Sequence, residues 1–160
     1  MNKIFGARIG SDGTAMAFGC CPCMSSFKVL IVEDNPVIAM DLEHELTRAG
    51  CDVCGVAASE AAALTVAEAT RPPFAVVDVR LRPGDGRVVA RQLVERYGTA
   101  VLFATSLCGD ISDLAATGAV ACLPKPYSPS DIPAALEVIS QIRAGRRPEF
   151  MPDHMKVLMP

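Results

Sequence analysis

The chain has 160 residues, of which 51% are hydrophobic and 21% are charged, and its formal net charge is −3 at pH 7. This length and apolar content suit one globular domain with a sizeable core and short tails, and leave no room for a second folded domain. The acidic balance gives no general attraction to nucleic acid or to an anionic membrane. Because the longest apolar runs are strand-length, well short of the roughly 20 residues that span a bilayer, we expect a soluble protein.

Cysteine usage and the first residues indicate the compartment. Seven cysteines, an odd number, without a convincing signal peptide favour reduced thiols in the cytoplasm over a disulfide framework.

Residues 1–26 contain several glycines and keep no helical or strand period, so we predict a flexible N-terminal extension. Its Cys20, Cys21 and Cys23 leave a thiolate metal site or a redox-active tail as alternatives, although the segment offers no fourth metal ligand.

The first strand and helix follow this extension directly. Residues 27–32 form an apolar strand that ends in Glu33 and Asp34. Asn35 is a good N-cap and Pro36 a good first helical residue. The sequence therefore predicts that two carboxylates lie between a buried strand and a helix.

Gly50 stops this helix, and a second strand is predicted over residues 52–57. An alanine-rich second helix capped by Ser59 follows, to about residue 70. Cys51 and Cys54 form a C-x-x-C at the start of the strand, where no helix amino terminus lowers a thiol pKa. We therefore expect no redox or metal role for this pair.

The third strand covers residues 73–77 and leads directly into Asp78. Its apolar, largely β-branched run bounded by prolines is typical of a strand buried on both faces in a parallel sheet. An unpaired carboxylate is costly in an apolar interior, so Asp78 must lie at the carboxyl end of the strand or cap a nearby turn. Residues 80–86 form a loop of turn formers before a third helix, which Gly98 ends.

The second half of the chain continues the alternation. A fourth strand over residues 100–105 finishes on a hydroxyl, and Asp110 or Ser112 begins a short, weak fourth helix closed by Gly118. Its short length makes this helix the best candidate for a movable element. The fifth strand is predicted over residues 119–123.

Residues 124–126 read Pro-Lys-Pro and precede a fifth helix, which Ser130 caps and Gly145 ends. We expect little fixed structure in the C-terminal tail, residues 146–160, which is rich in proline, methionine and charge. The folded domain is therefore predicted to cover residues 27–145.

Five strands that alternate with five helices predict an α/β fold. Right-handed crossovers place helices on both faces of a five-stranded parallel sheet, in a doubly wound arrangement. The flavodoxin-like (βα)5 strand order is 2-1-3-4-5, and ligands bind in such sheets at the carboxyl ends of the strands, near the switch point.

Polar groups follow four of the predicted strands at that edge. They are Glu33 and Asp34 after strand one, Asp78 after strand three, Thr105 in strand four and Lys125 after strand five. Neighbouring carboxylates share protons or recruit a cation, and a hard cation such as Mg²⁺ fits oxygen ligands without histidine or cysteine. The lysine and the hydroxyl suit phosphoryl oxygens, so the set predicts a phosphoryl-transfer site with Asp78 as the covalent acceptor.

Residues 28–142 resemble the receiver domain of bacterial two-component response regulators. The matching segments are residues 32–35, 77–81, 84–86, 104–105 and 125–126. The resemblance implies that Asp78 takes phosphate from a histidine kinase or a phosphotransfer protein, that Thr105 and Lys125 contact the phosphoryl group, and that the Lys125–Pro126 bond is cis. It also implies a Mg²⁺ ion with four ligands, which are the carboxylates of Glu33, Asp34 and Asp78 and the backbone carbonyl of Arg80.

Two positions depart from the usual receiver pattern. Receivers carry an aromatic residue three positions before the lysine, where this chain has Cys122, so the usual aromatic switch is absent. Residues 103–106 read Phe-Ala-Thr-Ser and resemble the Phe-Ala-Thr-Gly motif of an alphaproteobacterial class of stand-alone receivers that pair with HWE-like kinases, with Ser106 in place of glycine. That class implies activation by ordering of the fourth-strand loop and helix four.

We therefore expect a cytoplasmic single-domain response regulator, which is no enzyme beyond its own phosphorylation and dephosphorylation. Its output would be protein contact, through helix four, strand five and helix five, or phosphate drainage. One alternative is a receiver-like decoy or binding module that is never phosphorylated. Another is a small aspartyl phosphatase of the haloacid-dehalogenase type, but such enzymes need a second acid where this chain has Arg80.

Overall fold

The computed structural model describes residues 27–128 and 130–158, in which the apolar runs of the sequence form one sheet. The strands are β1 (Lys28–Val32), β2 (Asp52–Ala57), β3 (Phe74–Val77), β4 (Ala100–Thr105), β5 (Ala121–Pro124) and β6 (Lys156–Val157). The helices are α1 (Pro36–Arg48), α2 (Glu60–Thr70), α3 (Gly86–Tyr97), α4 (Ile111–Ala115) and α5 (Asp131–Arg143).

The strand order is β2-β1-β3-β4-β5-β6, and β1 to β5 are parallel. This confirms the flavodoxin-like prediction for the five parallel strands. Successive strand residues point to opposite faces, so Val29 and Ile31 pack beneath α1 and α5 while Leu30 and Val32 pack on the side of α2 and α3. The two apolar layers place the carboxyl ends of the strands at one open edge.

Local capping explains where most of the helices begin. The side chain of Asn35 accepts hydrogen bonds from the backbone N–H groups of Val37 and Ile38, and Ser59 caps α2 in the same manner, as predicted. The predicted cap at Ser130 is wrong, because its backbone is already helical and its side chain makes no capping hydrogen bond. The carboxylate of Asp131 instead accepts a hydrogen bond from the Ser128 N–H at 2.7 Å.

The expectation of little fixed structure in the tail is wrong for its last described part. Strand β6 pairs antiparallel with β5, and Met155 and Leu158 are buried on opposite faces of the sheet. The physical reason is that β5 would otherwise be a sheet edge with unpaired backbone groups, which a short strand can cover. The first 26 residues, including Cys20, Cys21 and Cys23, lie outside the described residues, and the domain boundaries stay predictions.

Two cysteines depart from the expectation of reduced thiols. Cys108, in the loop between β4 and α4, forms a disulfide with Cys122 of β5, whereas Cys51 and Cys54 are free. Burial raises the pKa of Cys51 to about 11. Within the described ranges, no helix is long and apolar enough to cross a membrane.

Candidate functional site

The polar residues predicted at the strand ends lie at the carboxyl edge of the sheet. The Asp78 N–H donates to the Val32 carbonyl at 2.9 Å, which fixes the end of β3 beside the end of β1. The Lys125 N–H donates to the Thr105 carbonyl at 3.0 Å and ties the end of β5 to that of β4 in the same manner. The Lys125–Pro126 bond is cis, as predicted, and a second cis bond joins Arg82 to Pro83.

Lys125 joins the first and third strand ends. Its Nζ donates to Asp78 Oδ2 at 2.8 Å and to Glu33 Oε2 at 2.9 Å. The side chains of Glu33 and Asp78 are only 3% and 11% exposed, so these ion pairs are largely shielded from water. One ammonium group therefore serves two carboxylates that come from strands far apart in the sequence.

The pKa values of Lys125 and Glu33 reflect this arrangement. Burial by itself lowers the pKa of Lys125, but the hydrogen bonds that Lys125 donates to Asp78 and Glu33, together with the negative charges of these carboxylates, outweigh burial and the pKa is raised. Burial raises the pKa of Glu33, and the hydrogen bonds from Lys125 and the Asn35 N–H offset only part of that effect. Lys125 is therefore held in its charged form, while the negative charge on Glu33 is incompletely compensated.

The remaining acceptor oxygens face backbone donors. Glu33 Oε1 accepts from the Asn35 N–H at 3.2 Å, and Asp78 Oδ1 accepts from the Arg80 N–H at 3.1 Å. These bonds orient each carboxylate so that its other oxygen accepts from Lys125. Asp34 follows Glu33 directly and is half-buried.

Thr105 is fully buried, and its hydroxyl belongs to its own loop in this structure. Thr105 Oγ1 accepts a hydrogen bond from the Leu107 N–H at 3.2 Å. The structure therefore brings Glu33, Asp78 and Lys125 into direct contact, with Thr105 held by the loop that begins α4.

The donor chemistry fits the predicted Mg²⁺ ion, because carboxylate and carbonyl oxygens are its preferred protein ligands. Among the residues that the structure describes, no group of three or more Asp, Glu, His or Cys side chains is close enough together to hold a metal ion. Instead, the Lys125 ammonium lies between two of the predicted ligands, Glu33 and Asp78. The Mg²⁺ ion with Glu33, Asp34, Asp78 and the Arg80 carbonyl as ligands stays a prediction.

Sequence reasoning missed two supports of the site. A Cβ at Gly86, the first residue of α3, would collide with the Asp78 carbonyl oxygen and would lie 2.9 Å from Val79 Cα, so the helix packs directly on the backbone that follows β3. Asp85 caps α3 through the Arg87 N–H at 2.8 Å, and Arg87 pairs with both Asp85 and Asp113 of α4. The Asp-Gly pair at the start of the third helix was the available signal, since Asp is a favoured N-cap.

Known proteins resemble this chain in sequence and in fold. The family model for the response regulator receiver domain matches residues 29–137. Protein-glutamate methylesterase/protein-glutamine glutaminase 3 of Hahella chejuensis is 31% identical over 133 residues, which cover 74% of this chain and 38% of that protein. The transcriptional regulatory protein PdtaR of Mycobacterium tuberculosis is 32% identical over 119 residues, which cover 72% of this chain and 58% of that protein.

A solved structure of the chemotaxis protein CheY4 of Vibrio cholerae superimposes with a TM-score of 0.67 at 27% identity, covering 71% of this chain and 98% of that one. The two curated relatives above are longer proteins, and the chain spans 38% and 58% of their lengths.

Proposed function

Because the chain belongs to the family of response regulator receiver domains, modules of two-component signalling, we propose that it accepts a phosphoryl group on Asp78. The observation that carries the proposal is the bridge from Lys125 Nζ to the carboxylates of Asp78 and Glu33. A fixed cation beside the acceptor oxygen offsets the charge of an incoming phosphoryl group, and such positioning supplies most of the catalysis of phosphoryl transfer.

The transfer forms one O–P bond and breaks one N–P bond. A carboxylate oxygen of Asp78 attacks the phosphorus of a phosphohistidine on the donor protein, and the imidazole leaves with the electron pair of the N–P bond. Lys125 can then donate to a phosphoryl oxygen while it keeps its hydrogen bond to Glu33. The Thr105 hydroxyl would donate to another phosphoryl oxygen once it turns away from its own loop.

Mg²⁺ is the proposed cofactor. Glu33, Asp34, Asp78 and the Arg80 carbonyl would hold it, and the bound ion would neutralise charge on the phosphoryl oxygens. The site supports this assignment because the carboxylate oxygens of Glu33 and Asp78 lie together at the carboxyl edge of the sheet, and a hard divalent cation prefers oxygen ligands.

The proposed donor is a sensor histidine kinase, HWE-like by the resemblance of residues 103–106, or a phosphotransfer protein, acting in the cytoplasm. A groove of about 530 Å³ beside Lys125 offers a place for the donor protein. Its apolar lining includes Ile38 and Leu42 of α1 and Tyr127.

As a stand-alone receiver, the protein would signal through contact of α4, β5 and α5 with another protein, or it would serve for phosphate drainage. Strand β6 already covers the edge of β5, so a partner at that face meets part of this chain's own tail.

Two other functions share features with this site. The receiver family assignment, with Arg80 in place of the required second acid, weighs against a haloacid-dehalogenase-type phosphatase. A receiver-like module that is never phosphorylated has the same fold and the same Lys125 bridge, so only phosphoryl uptake separates it from the proposed function.

The test is intact-mass spectrometry after incubation with acetyl phosphate or phosphoramidate, with and without Mg²⁺. We expect a Mg²⁺-dependent gain of one phosphoryl group by the wild type, and no gain by Asp78→Asn. Asp52→Asn is the matched control, because the same change is made on an exposed residue at the opposite end of the strands. A gain by Asp78→Asn would refute the acceptor assignment, and no gain by the wild type from either donor would favour the unphosphorylated module.

A further inference from the structure

The Cys108–Cys122 disulfide lies beside the element that must respond to phosphorylation. Cys108 follows Thr105 by three residues in the loop between β4 and α4, and Cys122 is in the middle of β5, with 6.3 Å between the two Cα atoms. Both side chains are buried, on the sheet face that α4 also contacts through Leu114. The cross-link therefore fastens the loop that carries the Thr105 hydrogen bond to the neighbouring strand.

The fastened loop is the one that would have to rearrange. In this structure the Thr105 hydroxyl accepts from the Leu107 N–H at 3.2 Å, and Leu107 is the residue before Cys108. Turning the hydroxyl toward a phosphoryl group on Asp78 breaks that bond and moves the loop. A covalent bond at Cys108 holds the middle of the loop in the arrangement seen here.

The C-terminal strand adds a second restraint on the same two cysteines. Lys156 of β6 is the ladder partner of Cys122, and its Nζ donates to the Cys108 carbonyl at 3.3 Å. One residue of the tail therefore contacts both ends of the cross-link, and the loop, β5 and β6 form one connected unit.

We propose that Cys108 and Cys122 form a reversible redox switch, which in its oxidised state holds the β4–α4 loop and weakens the response of Thr105 to a phosphoryl group on Asp78. The inference rests on the proposed function. Disulfides in cytoplasmic proteins are usually transient and redox-sensing, which favours a switch over a permanent cross-link. The loop residues around Cys108 are exposed, so a small opening of the loop admits an oxidant. They are Ser106, Leu107, Gly109 and Asp110.

The proposed oxidant is a hydroperoxide. The Cys108 sulfur attacks the peroxide and becomes a sulfenic acid, with release of an alcohol, or of water when the oxidant is hydrogen peroxide. The Cys122 sulfur then displaces water from the sulfenic acid, so the S–S bond forms as both S–H bonds are lost. Two electrons pass from the two thiols to the peroxide, and a dithiol reductant reverses the change by exchange.

The experiment uses the full chain, reduced with dithiothreitol or oxidised with hydrogen peroxide. Trypsin leaves both cysteines in the single peptide 97–143, so the cross-link is read as the loss of two hydrogen atoms and of two alkylation sites. Beryllofluoride with Mg²⁺ serves as the phosphoryl mimic. We expect the reduced protein to bind it at least about five-fold more tightly, a typical coupling between a site and a conformational equilibrium, with a larger change in hydrogen exchange over residues 106–118.

Three variants isolate the cross-link. Cys108→Ser and Cys122→Val, treated with the same reagents, should bind beryllofluoride equally under both conditions, and the apolar replacement at position 122 guards against a folding defect in the first variant. Cys54→Ser removes a free cysteine and should keep the redox response of the wild type.

Equal affinity of the oxidised and reduced wild type, tighter binding by the oxidised form, or a peptide 97–143 that never forms the bond would each overturn the switch. Phosphoryl uptake from acetyl phosphate is measured in parallel. If neither redox form accepts phosphate, the proposed function fails and the switch falls with it. If both forms accept phosphate and bind the mimic equally, only the switch is overturned.

Discussion

Gly86 offers a sharp test of how α3 packs against the backbone of Asp78 and Val79. Its backbone φ is not in the left-handed region, so an alanine is compatible with the local conformation. A Cβ at this position would nevertheless collide with the Asp78 carbonyl oxygen, and would lie 2.8 Å from the Asp78 carbonyl carbon and 2.9 Å from Val79 Cα. All three contacts are to backbone, which cannot rotate away as a side chain can.

The sign of the Gly86→Ala effect follows from two opposing terms. Alanine is favoured over glycine within a helix by about 1 kcal/mol, which is an upper limit at the first helical position. Overpacking against fixed atoms costs about 1–3 kcal/mol, and we place this backbone collision at about 3 kcal/mol. We therefore expect a net loss of about 2 kcal/mol, which corresponds to a fall in Tm of about 6 °C for a domain of this size.

The assay is urea unfolding followed by far-ultraviolet circular dichroism under reducing conditions, for the wild type, Gly86→Ala and Gly109→Ala. Gly109 has open space around its Cβ position and no positive φ, so its alanine variant should stay within about 0.5 kcal/mol of the wild type. Because the collision displaces Asp78, Gly86→Ala should also take up phosphate more slowly at a temperature where it is folded. A Gly86→Ala protein as stable as the wild type would refute the packing argument.

Three further predictions concern charge and the tail. Because burial raises the pKa of Glu33, the folded state binds that proton more tightly than the unfolded state, and the free energy of unfolding falls as the pH rises above about 4.3. In metal-free urea titrations, Glu33→Gln should flatten this fall. An unchanged pH profile of the variant would contradict the argument. The Arg87 hydrogen bond lowers the pKa of Asp85, so the stabilisation is present above about pH 3.9 and is lost as the pH falls through the lower folded value. Asp85→Ala should therefore cost about 1 kcal/mol at pH 7, and a cost that grows on acidification would refute the assignment. Leu158→Ala should lower the free energy of unfolding by about 2 kcal/mol. It should also speed amide exchange of residue 158, whose N–H donates to the Val120 carbonyl at 2.8 Å. An unchanged free energy of unfolding would show that the tail does not pack in solution.

Much of the fold could be predicted because its signals are local. The apolar runs of the five parallel strands and the caps at Asn35 and Ser59 each depend on a few neighbouring residues. Alternation of strands and helices then restricts the topology, since crossovers are right-handed. The order assumed for the five parallel strands, that of flavodoxin-like sheets, agrees with the observed order. The position of Asp78 at the end of a buried strand follows from the cost of burying a lone carboxylate.

Other features depend on contacts between residues far apart in the chain, which no local pattern encodes. Lys125 reaches Glu33 across 92 positions and Asp78 across 47. The two-residue pairing of β6 arises only because β5 is the last of the parallel strands. The bond between Cys108 and Cys122 arises only because β5 lies beside the loop that precedes α4. By itself, the sequence determined which residues end the strands and therefore which chemistry gathers at one edge of the sheet, because side-chain period and burial cost act over a few residues. Only the tertiary structure decided which groups touch there and which loop is fastened, because those contacts depend on how distant elements pack.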